Sequence, residues 1–251
     1  MQGVSIFMYH QVGKFLPMKT HRASYCDVDN FRAHMRTLKW LGVKVLSVDE
    51  LVQVLSGAQP MPERAAVLTF DDGCLNFMEY ALPVLKAYGY PAMVYAIASL
   101  AGKDAAWMAA DGHPTPPLMN FDQLRFIQSE GIGVGSHAYS HVHLAQLPYE
   151  AQLQELVQSK EVLEQELGRA VKHVCYPYGS YNLDTLKAAQ QAGYLTGMTC
   201  ERAAAVPEND LLALPRKAIS YGDSMVGFSW KLFFKNQPKT PILSRTGINS
   251  K

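Results

Sequence analysis

The residues able to do hydrolytic chemistry fall in a few short clusters: His10, Asp71-Asp72-Gly73, the pair His137 and His141, and Tyr176-Pro177-Tyr178-Gly179, with Arg216 following in Leu214-Pro215-Arg216. Asp72, His137 and His141 offer one carboxylate and two imidazoles. That donor set suits Zn2+, with Co2+ or Ni2+ as other fits, and leaves positions open for water and substrate. The spacing of the histidines lets both rings converge on one point from a single turn. Neighbouring side chains on an extended segment diverge, so Asp71 and Asp72 divide the work. Asp72 is expected to hold the ion, and Asp71 to stay ionised beside it and take a proton from water that the ion acidifies. Taken singly these motifs are weak, since Asp-Gly is common in turns and paired histidines are common on surfaces. Their weight comes from the element each one follows.

Gly42, Gly89, Gly131, Gly168 and Gly193 each close an apolar-periodic stretch and precede a short β-rich run, as helix-stopping glycines do. Strands are predicted at Val4 to Tyr9, Val43 to Ser47, Ala66 to Phe70, Ala92 to Ala98, Ile132 to Ser136, Lys172 to Tyr176, Tyr194 to Thr199 and Leu214 to Ser220. Most are continuous apolar runs, as in a parallel sheet covered on both faces. Helices are predicted between them: one behind an Asp29 or Asn30 cap, others behind capping boxes at Ser47-Glu50 and Asn120-Gln123, the longest near Tyr149 to Leu167, and one starting at Asn182. Pro83 should kink or divide the segment Leu75 to Tyr88. Alternating strands and helices predict a single α/β unit, a distorted (β/α) barrel of seven or eight strands. In such a barrel the site lies at the C-terminal strand ends, where these polar clusters fall. The irregular stretch Ala101 to Met119 reads as a lid.

At 251 residues the chain fits one barrel, read as residues 1–224, followed by an aromatic and basic extension over 225–251. Hydrophobic residues make up 48% and charged residues 18%, enough apolar side chains for a folded core. The net charge of +1 gives no field for general nucleic-acid binding, and no glycine-rich phosphate fingerprint occurs. Cys26, Cys74, Cys175 and Cys200 are widely spaced, which suggests reduced thiols rather than a zinc ribbon or disulfide scaffold. With neither a leader-like start nor a long apolar run, the expectation is a cytoplasmic protein. Phe228-Ser229-Trp230-Lys231-Leu232-Phe233-Phe234-Lys235 interleaves aromatic and basic residues. It reads first as a core-covering helix and second as a peripheral contact with the inner face of the membrane.

Thr69-Phe70-Asp71-Asp72-Gly73, Ser136-His137-Ala138-Tyr139-Ser140-His141 and Tyr176-Pro177-Tyr178-Gly179 resemble the first three ordered motifs of the NodB-homology polysaccharide deacetylases, carbohydrate esterase family four. Met8-Tyr9-His10 and its spacing to the Asp-Asp pair resemble the poly-N-acetylglucosamine deacetylase branch. The resemblance spans roughly Val4 to Ser220. It implies a distorted (β/α) barrel that removes acetyl from an N-acetylated sugar, polymeric, oligomeric or lipid-linked. It assigns Asp71 as base, Asp72, His137 and His141 as metal ligands, and the Tyr178 N–H as oxyanion donor. Two departures stand out. Cys175 occupies the place of an arginine that orients the base, so Arg216 is expected to reach Asp71 from another strand. The late Leu-x-His motif that supplies the acid is absent, and His10 in Met8-x-His10 is assigned instead.

Tyr139, Tyr176, Tyr178 and Trp107 are candidates for a wall on which a sugar stacks. His143 reads as a loop residue or one that backs the site from behind the ligands, and His21, His34, His113 and His173 as surface or strand-start groups. Two rival functions share the scaffold: another metal-dependent amide or ureide C–N hydrolase, and a carbohydrate-binding barrel without turnover. A glycosidase using the Asp pair is excluded, because its two carboxylates must flank the scissile bond from separate positions.

Overall fold

The structure is a computed structural model that describes residues 3–249, so Met1, Gln2 and the last two residues of the predicted C-terminal extension lie outside it. In chain order the strands are β1 (Ser5–Tyr9), β2 (Gln11–Gly13), β3 (Tyr25–Asp27), β4 (Lys44–Val45), β5 (Ala65–Phe70), β6 (Met93–Ala96), β7 (Gly133–Ser136), β8 (His173–Cys175), β9 (Thr196–Met198), β10 (Lys217–Ala218), β11 (Ile242–Ser244) and β12 (Gly247–Asn249). The helices are α1 (Val28–Trp40), α2 (Val48–Leu55), α3 (Leu82–Tyr88), α4 (Phe121–Ser129), α5 (Tyr149–Leu167), α6 (Leu183–Gln191) and α7 (Met225–Phe234). A curled parallel sheet runs β10-β1-β5-β6-β7-β8-β9, with β4 also on β5. Leu214 bridges Met198 of β9 and, a few residues on, Lys217 pairs with Phe7 of β1, so one short segment spans from one end of the sheet to the other. The distorted barrel expected from the sequence is the fold observed.

Its distortion has a local origin. On one edge of β5, β4 occupies the Ala65–Ala66 end while β6 occupies Thr69 and Phe70. Period-two alternation separates two apolar layers. Ile6, Val67, Met93, Tyr95, Cys175 and Met198 pack together inside the curl. Phe7, Tyr9, Leu68, Phe70 and Val94 pack against the helices.

Local chemistry sets the helix ends. Ser47 and Asn120 form the expected capping boxes with Glu50 and Gln123, and Asn182 pairs likewise with Thr185. The α1 cap is Asp27 rather than Asp29 or Asn30: its carboxylate accepts from the Asp29 N–H at 2.9 Å, so the helix starts one residue after it. Pro83 divides its segment as expected. A widened π turn over Phe77–Ala81 precedes α3, and the proline sits in that helix's first turn, where a missing N–H costs least. Helix α7 buries Phe228 and Leu232 in the main core, with the Phe228 ring 4.5 Å from Phe7. Its other face leaves Val226, Trp230 and Phe234 exposed beside Trp40 of α1.

Candidate active site

At the C-terminal ends of the strands lies a cavity of about 310 Å3 lined by residues that include His10, Asp71, Asp72, His137, His141, Trp107 and Tyr178. Among the described residues only five non-glycines have positive φ: His21, Asp72, Ala138, His141 and Tyr178. Four line this cavity and Ala138 lies between His137 and His141. Left-handed backbone is costly for residues with a Cβ, and its concentration here shows that the surrounding fold enforces these loop shapes.

Asp72, His137 and His141 are brought together. Asp72 Oδ1 lies 3.4 Å from the Nε2 atoms of both histidines, and all three residues are buried. Asp72 owes its direction to its left-handed φ of 70° after β5, and Gly73, at φ 73°, turns the chain away behind it. His137 Nδ1 is 2.8 Å from the Cys175 carbonyl oxygen. That contact holds a proton on Nδ1, so Nε2 is the ring atom turned to Asp72: when protonated it donates to the carboxylate, and in the neutral ring it carries the lone pair a metal ligand needs. Burial pushes the Asp72 carboxyl upward, but hydrogen bonding to His137 and His141 overrides it, and the group sits well below the ordinary carboxylate range. One ionised carboxylate and two imidazoles with converging donors fit a divalent ion of the zinc type.

Asp71 has a different setting. Arg216 clamps it with two parallel bonds, Nη1 to Oδ1 and Nη2 to Oδ2, each 2.7 Å. The guanidinium is buried, and every N–H it carries has a partner: Nε donates to the Thr199 carbonyl at 2.9 Å, Nη1 also to Thr69 Oγ1 at 3.1 Å, and Nη2 also to Cys175 Sγ at 3.0 Å. Burial raises the affinity of Asp71 for a proton, but the charge of Arg216 more than offsets it, leaving the carboxyl below its ordinary value. The arginine therefore reaches Asp71 from beside β10, as expected from the cysteine at position 175. Cys175, whose thiol burial keeps protonated, fills the small space that remains. Asp71, His137 and Cys175 also cluster, but Asp71 is committed to Arg216 and the His137 Nδ1 to a carbonyl, so their chemistry does not suit a second ion. His10 Nε2 lies 4.0 Å from Asp71 Oδ2, at the cavity wall.

The polysaccharide deacetylase family profile matches residues 58–197, more than half of the chain. The chain belongs to the polysaccharide deacetylase family. It is 30% identical over 223 residues to YxkH of Bacillus subtilis (strain 168), a protein named for the same family, covering 89% of this chain and 74% of that one. It is 25% identical over 193 residues to the poly-beta-1,6-N-acetyl-D-glucosamine N-deacetylase of Staphylococcus aureus (strain MRSA252), covering 76% of this chain and 66% of that one. Among solved structures, the Streptococcus pyogenes deacetylase PplD in complex with acetate superposes with a TM-score of 0.79 at 27% identity, covering 92% of this chain and 98% of that one. IcaB from Ammonifex degensii superposes at 0.77 with 23% identity over 92% and 98% of the two chains, a likeness of fold.

Within this deacetylase fold the aromatic candidates separate. Trp107 stands with its ring 4.3 Å from His141, and Tyr178 lies 4.6 Å from the same imidazole with about half its surface exposed. Tyr176 does not reach the cavity. It is fully buried, and its hydroxyl donates to the Leu212 carbonyl at 2.8 Å. Gly197 makes room for it, since a Cβ there would come within 2.2 Å of the Tyr176 oxygen. Tyr139 is half-buried and packs against the main core.

The stretch expected as a lid is tied down. Met119 N–H donates to the Gly73 carbonyl and Leu75 N–H to that of Pro117, at 2.8 Å each, which fixes the loop to the Asp-Asp turn. Several histidines depart from their sequence reading. His34 is buried between the Tyr9 hydroxyl and the Asp223 carbonyl, whereas His173 opens β8 as expected. His21 and His113 line the cavity, while His143 lies in a loop as expected and stacks on Tyr178 at 4.1 Å. His21 and His113 were missed because their segments lack periodicity, so nothing in the sequence says which way they face; His34 lies on the periodic helix α1, beside its apolar face of Phe31, Met35 and Leu38.

Proposed function

We propose that this chain is a metal-dependent N-deacetylase that hydrolyses the acetamido group of an N-acetylglucosamine polymer or oligomer. The observation that carries the reading is the pairing of two buried aspartates with opposite partners: Asp72 joined to two imidazoles, and Asp71 held ionised by Arg216. Asp72, His137 and His141 would hold the ion, most favourably Zn2+. When bound it would acidify water and polarise the acetyl carbonyl. Asp71, ionised and fixed in direction, accepts the proton of the attacking water. The Tyr178 N–H would donate to the oxyanion, and His10, across from Asp71, would hand a proton to the departing amine, which leaves poorly without one. Trp107 and Tyr178 supply rings against which a sugar can lie. The named activity of the S. aureus relative and the acetate bound to PplD support this choice of substrate class. The test is acetate release from β-1,6- and β-1,4-linked N-acetylglucosamine oligomers with added Zn2+. Turnover should vanish in Asp71→Asn while Zn2+ affinity persists. An Asp71→Asn enzyme with full turnover, or release from simple amides but from no N-acetylated sugar, would contradict the reading.

The exposed strip of Trp40, Val226, Trp230 and Phe234 favours a second element, contact with an anionic bilayer surface. Residues 34–48 and 224–249 contain no acidic residue, while Arg36, Lys39, Lys44, Lys235 and Lys239 surround or follow the strip. Lys235 lies 6.0 Å over the Trp230 ring. Such a strip offers aromatic wedges with a charge complementary to acidic headgroups. Co-sedimentation with phosphatidylglycerol vesicles should fall in a Trp40→Ala, Trp230→Ala double variant. Equal binding by wild type and variant, or no binding by either, would discard the contact.

A further inference from the structure

The loop carrying both imidazoles, His137 to His141, holds two residues in left-handed backbone, Ala138 at φ 59° and His141 at φ 60°. Such a loop needs partners for its polar groups, and helix α5 supplies them from behind. Glu155 accepts from the N–H of Tyr139 at 3.1 Å, from the N–H of Ser140 at 2.9 Å, and from the Ser140 hydroxyl at 2.5 Å. One turn further along the same face, Ser159 donates to the Ala138 carbonyl at 2.9 Å and lies 2.7 Å from Ser136 Oγ, which itself accepts from the Ala138 N–H at 3.2 Å. From the opposite side, Ala98 and Ser99 N–H groups donate to the Ala138 and Tyr139 carbonyls at 3.3 and 2.9 Å. Every backbone polar group from Ala138 N to Ser140 N is therefore engaged, and none of these bonds involves a metal-binding atom.

We infer that Glu155 and Ser159 are positioning residues that fix the His137–His141 loop in its ligating shape before any ion arrives. The inference rests on the metal-site reading above and extends it to residues that touch neither ion nor substrate. A carboxylate facing two adjacent N–H groups is a charge-assisted clamp. The i, i+4 spacing puts both side chains on one face of a long, well-packed helix, so the loop inherits that helix's rigidity. Without Glu155 those two N–H groups would need other partners, and the left-handed turn at His141 would have less to hold it. The ion would then have to organise its own ligands. Removing a group that orients ligands in this way commonly weakens metal affinity about 10- to 100-fold.

Two measurements test this, neither of which needs turnover. In chelator-stripped wild type, hydrogen exchange should show the peptide containing Tyr139 and Ser140 protected as strongly as the neighbouring strands. In Glu155→Ala it should exchange faster, and the Kd for Zn2+ from competition with a chromophoric chelator should rise at least 10-fold. Glu155→Gln should recover most of the affinity, because its carbonyl oxygen can still face both N–H groups and its amide can donate to Ser140. A role confined to general stability would lower the melting temperature and leave Kd unchanged. Unchanged Kd in a folded Glu155→Ala protein, or an unprotected loop in metal-free wild type, overturns the inference. If Glu155→Ala does not fold, Ser159→Ala together with the wild-type exchange decides. Wild type that takes up no Zn2+ removes the metal-site reading, and the clamp with it. Normal uptake by wild type and variant alike removes the clamp alone.

Discussion

Replacing Arg216 by methionine would keep much of its aliphatic bulk while deleting the guanidinium bonded to Asp71. The guanidinium makes two 2.7 Å bonds to that carboxylate, and both partners are buried. The orphaned Asp71 has two courses. It can remain charged, at the roughly 3–5 kcal/mol typical of breaking a buried pair, or it can take up a proton. With the arginine gone, burial is the largest remaining influence and it favours the protonated form. To the extent that it is protonated the base is lost, and general-base catalysis is commonly worth about 10²- to 10⁴-fold. The assay is kcat/KM for acetate release as a function of pH, alongside urea unfolding. Arg216→Met should lose about 100-fold or more at pH 7, its acid limb should move upward, and activity should recover in part as pH rises. Adding Cys175→Arg to Arg216→Met returns a guanidinium from β8, the place from which the family pattern supplies it, and should restore part of the loss. Unchanged kcat/KM and an unmoved acid limb in Arg216→Met would refute the assignment of Asp71 as a base held ionised by Arg216.

Lys217 is a buried amine whose Nζ bonds to Ser5 Oγ, the Leu232 carbonyl and Asn236 Oδ1 but to no carboxylate, and burial brings its pKa from 10.5 down to about 7. Because the folded state binds the proton less tightly than the unfolded chain, the penalty is complete below pH 7 and is relieved as pH rises toward 10.5. Lys217→Met should therefore stabilise the protein by about 2–4 kcal/mol at pH 6, after allowing about 1–3 kcal/mol for the oxygens left without a donor, and the advantage should disappear by pH 10. A variant less stable than wild type at both pH values would count against this. His10→Gln should lower kcat by about 10²-fold with Zn2+ affinity unchanged, and an unaffected kcat would remove His10 as the acid. Gly197→Ala should cost stability through its clash with Tyr176, read as a lower melting temperature. An unchanged melting temperature would mean that β9 shifts freely.

How far each part was legible in the sequence follows from the range of the forces involved. Helix ends and strand positions depend on neighbours a few residues away, so the Ser47, Asn120 and Asn182 caps and all eight main-sheet strands could be read directly. The convergence of Asp72, His137 and His141 was legible because they sit at strand ends, and a barrel gathers strand ends at one rim. Arg216 could be anticipated from the cysteine where the family pattern has arginine. Tyr176 could not be placed, since whether an aromatic beside a strand faces the cavity or the core depends on Gly197 of the next strand, which makes room for its ring. Glu155 was hidden for a similar reason: on a helix of mixed pattern one glutamate looks like another until the loop it faces is known. The short β2–β3 pair and the cavity-lining His21 and His113 come from segments whose shape is set by tertiary contacts rather than by periodicity.

The central claim is that Asp72, His137 and His141 hold a divalent ion, and Zn2+ titration of chelator-stripped protein by calorimetry tests it most directly. The account predicts tight binding of a single ion per chain in wild type and its loss in His137→Ala and Asp72→Ala, with Asp71→Asn still binding. Equal binding by wild type and the Asp72→Ala, His137→Ala double variant, or none by wild type, would contradict it.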